Sequence, residues 1–311
     1  MTTALEPAER PSPAGAGPVA PSSYLRKPQR RAGILFALPV IVLELALLAL
    51  PIAQAVYYSF TNWDGLKATW IGLANYQRLF SDSTFWRVVL NNLLLLAAVP
   101  VAILIPLLVA YLLNEHVSGW RFFRSAYFLP TAISWVVIGM VAIRFFAVNG
   151  ILNHLLDAVG LGEINTNMLG GELSAMAAVI ITFIWSVFGT NTIIFITGMA
   201  TLDREVYEAA RVDGAGAFTT FRLITIPMLM RFIQFAFILT LITAFTALFS
   251  LIFVMTGGGP GYGTTTLEFY VYQQGFTVGA FGYGAAIGII LFLVVFAISL
   301  AQLRLFRSRL D

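Results

Sequence analysis

Val88–Leu113 reads V-V-L-N-N-L-L-L-L-A-A-V-P-V-A-I-L-I-P-L-L-V-A-Y-L-L, with no charged side chain anywhere in it. A helix rises about 1.5 Å per residue and the hydrocarbon layer is roughly 30 Å thick, so about 20 apolar residues are enough to cross it. Working outward from this stretch, five more segments pass the same test: Gly33–Phe60, Ser125–Phe146, Ser174–Ala200, Phe232–Met255 and Phe281–Leu303. The whole chain agrees, with 59% hydrophobic and 11% charged residues and a mean hydropathy of +0.85. Soluble domains carry about 25% charged residues, so the composition excludes a set of globular domains and equally excludes a disordered chain. The sequence therefore predicts an all-α, polytopic membrane protein with six transmembrane helices.

Lysine and arginine set the orientation of such a protein. With the N-terminus in the cytoplasm, fourteen of the eighteen fall on the cytoplasmic side, among them Arg26, Lys27, Arg30, Arg31, Arg121, Arg124, Arg204, Arg211, Arg222 and Arg231. Lys67, Arg78, Arg87 and Arg144 are left outside. The reading is a multi-pass protein with both termini cytoplasmic. Residues 1–32 form a cytoplasmic tail, disordered over its Ala-, Pro-, Gly- and Ser-rich first part and ending in a basic anchor for anionic head groups. Residues 33–311 form the transmembrane domain. Trp63, Trp70, Tyr76, Trp120 and Tyr127 fall where an interfacial aromatic belt belongs.

Several chemistries drop out on residue counts. There is no cysteine, and His116 and His154 are the only histidines, which argues against a metal centre and a thiol nucleophile. Lys27 and Lys67 are the only lysines and neither follows a glycine, so no phosphate-cradling GxxxxGK[ST] loop exists. If ATP drives this protein, another chain binds it. The basic residues are dispersed rather than clustered, which sets nucleic acid aside.

Between the fourth and fifth spans the chain carries a charged stretch, 202–231, that begins L-D-R-E-V-Y-E-A-A-R-V-D-G-A-G-A-F-T-T-F-R-L-I-T-I-P. Local physics reads it as helix, glycine turn, helix. Asp203 can N-cap the first helix, with Glu205 and Glu208 toward its positive end. Gly214 or Gly216 can end it. Phe218, Phe221 and Ile224 give the second helix an apolar stripe at three-residue spacing. Pro227 then breaks that helix before the fifth span begins.

The pattern Glu208-Ala209-Ala210-x3-Gly214-x9-Ile224-x-Ile226-Pro227 resembles the EAA motif of permease subunits of bacterial ATP-binding-cassette importers. Tyr58–Asp64 with Gly72-Leu73-Ala74-Asn75-Tyr76 is similar to the first external loop of the carbohydrate and glycerol-phosphate branch. Thr256–Gly261 with Thr264–Phe276 is similar to the last external loop of its maltose-type first permease. The chain departs from the family's habit at Leu202-Asp203, where Ile-Pro is common, and at Arg231, where a second proline is common. The resemblance implies a type I importer permease fold. It also implies ATPase coupling through Tyr207, Glu208, Ala209, Ala210, Asp213, Gly214, Ala215, Phe218 and Pro227. The implied partners are a second, different permease, two copies of an ATPase subunit that bind ATP and Mg, and an extracytoplasmic solute-binding protein. The implied place is the bacterial cytoplasmic membrane. This chain would form half of the pathway, for a sugar, oligosaccharide or glycerol-phosphate-like solute, and would do no bond chemistry.

Polar groups inside spans are costly and tend to face a cavity or another helix. Asn91, Asn92, Trp185, Thr190, Asn191 and Gln234 are such groups; amides and hydroxyls suit sugar hydroxyls, and an indole suits the apolar face of a ring. The same residues can instead join helices. Glu44, the one acid deep in a span, reads as a structural partner, and Arg144 as an interfacial anchor. Gly284 and Gly288 allow close helix approach, and Gly257–Gly261 reads as a tight re-entrant turn or external loop. An ion-gradient-driven secondary transporter is the competing reading. It calls for paired charged sites within spans and an inverted repeat, and the sequence displays neither.

Overall fold

A computed structural model describes residues 27–114, 129–162 and 167–307, in two units, Met1–Ala53 and Gln54–Asp311. The first part of the tail, His116, Trp120, Arg121, Arg124 and Tyr127 lie outside the described residues.

In the first unit α1 (Lys27–Glu44) runs into a π turn at Leu45–Ala49 and then into α2 (Leu50–Ser59). The π turn has a local cause. Pro51 has no N–H for the carbonyl one turn back and its ring crowds that turn, so the helix widens just before it. Residues 33–53 are exposed or nearly so on every side and almost wholly apolar, as expected of a helix whose solvent is hydrocarbon.

The second unit opens with the end of α2 and a hairpin, β1 (Thr61–Trp63) with β2 (Ala68–Trp70), antiparallel with Thr61 opposite Trp70. Asp64 Oδ1 accepts from the Leu66 and Lys67 N–H groups and Gly65 takes φ +96°, which closes the turn. These are the only strands among the described residues. Then follow α3 (Ala74–Ser81), α4 (Ser83–Asn114), α5 (Trp135–Phe146), α6 (Ile151–Ala158) and α7 (Glu172–Met199). After them come α8 (Arg204–Val212), α9 (Ala217–Met228), α10 (Met230–Thr246), α11 (Phe249–Met255), α12 (Leu267–Tyr272) and α13 (Phe281–Arg307).

The main core forms where α4, α7 and α10 pack together, around Leu95, Val99, Ala102, Phe183, Phe195, Leu241 and Phe245. A smaller core of Leu79, Phe85, Val88, Leu267, Tyr270, Tyr283 and Ile287 gathers α3, the start of α4, α12 and α13. Among the described residues five helices are long and apolar enough to cross a membrane, or six where α9 and α10, bent by 73° at a break, count as one span.

Two spans depart from continuous helices. The third pauses at Ile133-Ser134, where Ser134 caps α5 by accepting from the Val137 N–H, and turns again at 147–150 before α6. The fifth, expected as Phe232–Met255, breaks at Ala247-Leu248 between α10 and α11. Pro227 does not end its helix either. A π turn at Phe221–Thr225 absorbs the missing N–H, the helix runs on to Met228, and the chain turns at Leu229. Leu45–Ala49 before Pro51 is the same solution in the other unit.

Candidate coupling surface and transmembrane cavity

The segment 202–231 folds as helix, turn, helix. Asp203 occupies the N-cap position with extended backbone, although its side chain makes no capping hydrogen bond. The end of α8 is a Schellman turn. Gly214 takes φ +76°, its N–H bonds Arg211 O at 3.1 Å, and the Ala215 N–H bonds Ala210 O at 2.9 Å. Gly214, rather than Gly216, is the terminator because it is the residue in the left-handed conformation.

One side of this unit is tied to the bundle. Ala210 is buried, the Tyr207 hydroxyl pairs with Thr225 Oγ1 at 3.2 Å, and Phe221 packs on the Tyr111 ring with centroids 5.0 Å apart. The Tyr111 hydroxyl donates to Ala217 O at 3.2 Å. The other side is open. Glu208, Ala209 and Asp213 are exposed, and so are Val212 at 88%, Phe218 at 74% and Leu223 at 65%. The expected stripe of Phe218, Phe221 and Ile224 is therefore split. Phe218 points outward, whereas Phe221 faces the Tyr111 ring of α4.

A polar cavity of about 220 Å³ lies between α5, α7 and α10. Ser186, Thr190 and Asn191 of α7, Thr240 and Thr243 of α10, and Thr131 line it, with Ala247 at the break in the fifth span. Thr190 Oγ1 reaches Thr131 Oγ1 at 3.5 Å. Asn191, 1% exposed, donates to Ala102 O at 2.9 Å and to Thr240 Oγ1 at 3.0 Å, and Thr240 returns a bond to Asn191 Oδ1.

Roughly 28 Å along α4 from Tyr111, at about 1.5 Å per residue, Asn91 and Asn92 hold the glycine-rich loop. Asn91 Nδ2 donates to Tyr262 O and Thr265 O, and Asn92 Oδ1 accepts from the Leu267 N–H at 2.8 Å. Within that loop Gly257, Gly258 and Gly261 have positive φ, and the Thr256, Thr264 and Thr265 hydroxyls bond one another or its carbonyls. Beside it Arg87 of α4 pairs with Glu172, the first residue of α7. Asp82 accepts from the Tyr270 hydroxyl at 2.9 Å, the Tyr283 hydroxyl at 3.3 Å and the Thr84 N–H at 2.8 Å. Burial acts to raise the Asp82 pKa, yet these hydrogen bonds outweigh it and hold the carboxyl below its ordinary value.

With both ends described, comparison with known proteins becomes informative. Residues 68–311 match the family described as binding-protein-dependent transport system inner membrane component. The chain belongs to this family. Among its relatives is the multiple sugar-binding transport system permease protein MsmF of Streptococcus mutans, 33% identical, with 88% of this chain and 94% of that one covered. The sulfoquinovosyl glycerol transport system permease protein SmoG of Agrobacterium fabrum is 33% identical over 90% of this chain and 92% of that one. A crystal structure of a bacterial ABC transporter involved in import of the acidic polysaccharide alginate shares the fold, with TM-score 0.77 and 24% identity, covering 91% of this chain and 98% of that chain. The protein is thus a multi-pass membrane permease, a transport subunit rather than an enzyme.

The permease does not gather all the polar span residues in one place. Thr190 and Asn191 share the cavity, whereas Trp185, 40% exposed, lines an apolar cleft with Val141, Phe145 and Ile181 on the neighbouring face. Asn92 belongs to the glycine-loop end, and its Nδ2 is buried without a partner among the described residues. Gln234 lies toward the 202–231 end, where its backbone carbonyl accepts from Gln302 Nε2 at 3.5 Å and its side-chain Nε2 is likewise without a partner among the described residues. Glu44 and Arg144 are exposed. Gly284 does allow close approach, since an added Cβ would meet Gly275 N at 3.2 Å. Gly282 is tighter still, because a Cβ there would overlap the Thr61 carbonyl of β1. Ser186, Thr240 and Thr243 were not singled out from sequence. Their signal was nevertheless visible, because Ser186 with Thr190 and Thr240 with Thr243 recur at helical spacing within apolar spans.

Proposed function

We propose that this permease is half of the transmembrane pathway of an ATP-driven importer for a carbohydrate or a closely related polyol conjugate. It would work in a bacterial cytoplasmic membrane with both termini inside, beside a second, different permease, two ATPase subunits and an extracytoplasmic solute-binding protein. The family's dependence on a binding protein supports the last partner. Relatives named for multiple sugars, sulfoquinovosyl glycerol, diacetylchitobiose and trehalose/maltose support the solute class. Hydroxyl and amide groups around the cavity fit such a solute.

The observation that carries the coupling role is the division of 202–231 into a bound and an open side. A short helix that exposes Val212 and Phe218 beside Glu208 is suited to a groove on another protein. ATP and Mg, held by the ATPase subunits, supply the driving reaction. This chain's part is mechanical. Tyr207 holds α8 against α9, and Phe221 and the Ala217 carbonyl bind the pair to Tyr111 of α4, so displacement of the pair is passed to the spans around the cavity. The two states must differ in their contacts with ATP-bound partners and with the loaded binding protein.

The test is solute uptake by the full transporter carrying Glu208→Lys or Gly214→Pro. Either change is expected to abolish uptake while the permease still inserts and elutes as a folded protein. Uptake that persists with either substitution removes the docking role from this segment. ATPase stimulation by candidate sugars, each with the binding protein, then identifies the solute.

A further inference from the structure

The break in the fifth span leaves the first N–H groups of α11 without helical partners, and a carboxylate from another element takes one of them. Glu268 Oε2, at the start of α12, accepts from the Phe249 N–H at 3.0 Å. One residue before Leu248, Ala247 lines the polar cavity together with Thr240 and Thr243. On its other side Glu268 is chained to α4, because Asn92 holds the N–H of the preceding residue, Leu267, and Asn91 holds the carbonyls of Tyr262 and Thr265. Hydrogen bonds thus tie α4 to the glycine loop and Glu268 to Phe249, two residues along the chain from Ala247 at the cavity wall.

We propose that Glu268 is a positioning residue for translocation, fixing the break at Ala247-Leu248 and thereby the wall of the cavity. The inference rests on the reading of that cavity as the solute route. It also gives the break a proton-dependent stability. Burial, opposed by the nearby Phe249 and Leu248 backbone N–H groups, lifts Glu268 from its ordinary 4.5 to about 7. The capped arrangement therefore binds the proton more tightly than one with Glu268 in water. It is favoured below about pH 7 and loses ground as pH rises through that value. Among the described residues no charged side chain contributes to this value. α11 carries no ionisable residue, and Tyr272, packed on Phe249 at 5.0 Å between rings, is the titratable neighbour. Tyr270 and Tyr283 turn to Asp82, and Arg87 to Glu172.

The absence of native cysteine makes the test direct. Ala247→Cys is labelled with a maleimide in the assembled transporter in membranes, and its rate is divided by that of Leu66→Cys, a position 94% exposed, to remove the thiol's own titration. With Glu268 present, the ratio is expected to rise roughly fivefold between about pH 6 and about pH 8, as ionising the buried carboxyl withdraws its pH-linked contribution to the capped arrangement. Glu268→Gln, which keeps a neutral acceptor, is expected to hold the ratio low and flat, and Glu268→Ala to raise it at every pH. A flat ratio in the parent, or a Glu268→Gln profile that follows the parent, overturns the proposal. If Ala247→Cys fails to assemble, hydrogen–deuterium exchange over 248–252 replaces it. Protection that falls with pH in the parent and stays level in Glu268→Gln supports the proposal, and matching profiles overturn it. Neither readout requires transport, so a flat result with uptake intact overturns this inference alone, whereas failure of the coupling variants removes the transport reading and leaves the labelling result standing.

Discussion

Asn191 spends both amide hydrogens between helices, one on the Ala102 carbonyl of α4 and one on Thr240 of α10. In a span this is the form that satisfies a buried amide, because no water is present to take over either bond. Asn191 is thus a clamp at the centre of the main core as well as a cavity residue. Replacing it by alanine leaves the Ala102 carbonyl without this bond and Thr240 without its partner. Asn191→Ala is expected to destabilise the permease by about 2 kcal/mol, the cost of stranding a buried polar group, read as a lower thermal midpoint in detergent. An unchanged midpoint would mean that the clamp contributes nothing. From sequence, Asn191 was legible as a costly group with two possible roles; which helices it joins depends on α4 and α10 arriving beside α7.

Among the elements, the junction of α3, α4, α12 and α13 has its own electrostatic logic. Asp82 sits at the start of α4 and collects two tyrosine hydroxyls and the Thr84 N–H, while the Arg78 guanidinium lies 4.3 Å over the Tyr283 ring. Because Asp82 is held below its ordinary 3.8, its contribution is present above that value and is lost as pH falls through the lower folded value. Asp82→Asn is accordingly expected to lower the thermal midpoint at neutral pH, with the gap from the parent closing under acid. A gap that stays constant with pH would show that the carboxylate's charge is irrelevant there. The prolines make a second point at this scale. Pro227 reads from sequence as a helix break, but the structure accommodates it, as it does Pro51, with a π turn upstream. The penalty of a proline can be met by widening the helix as well as by ending it, and local sequence does not choose between the two.

For the whole molecule, the two functional ends lie at opposite ends of α4. Tyr111 touches the segment 202–231, and Asn91 and Asn92 touch the glycine loop. On the proposed topology, which follows the lysine and arginine distribution, the first end faces the cytoplasm. In intact cells a membrane-impermeant maleimide is expected to label Leu66→Cys, and to label Val212→Cys only after permeabilisation. The reverse pattern would invert the topology and with it the coupling proposal.

The sequence alone determined that the chain spans a membrane several times, where most of the spans lie, and where the helix pair with its glycine turn must fall. Those features follow from hydrophobic runs, charge asymmetry and turn chemistry, all of which act within a few residues. Tertiary structure decided the rest. Glu268 and Phe249 are separated in the chain, as are Arg87 and Glu172, and Gly282 and Thr61, and no local pattern pairs them. Which polar group lines a cavity and which joins two helices depends on which helices meet. That outcome is set by packing across the entire bundle, where each buried donor must find whatever acceptor the fold brings to it.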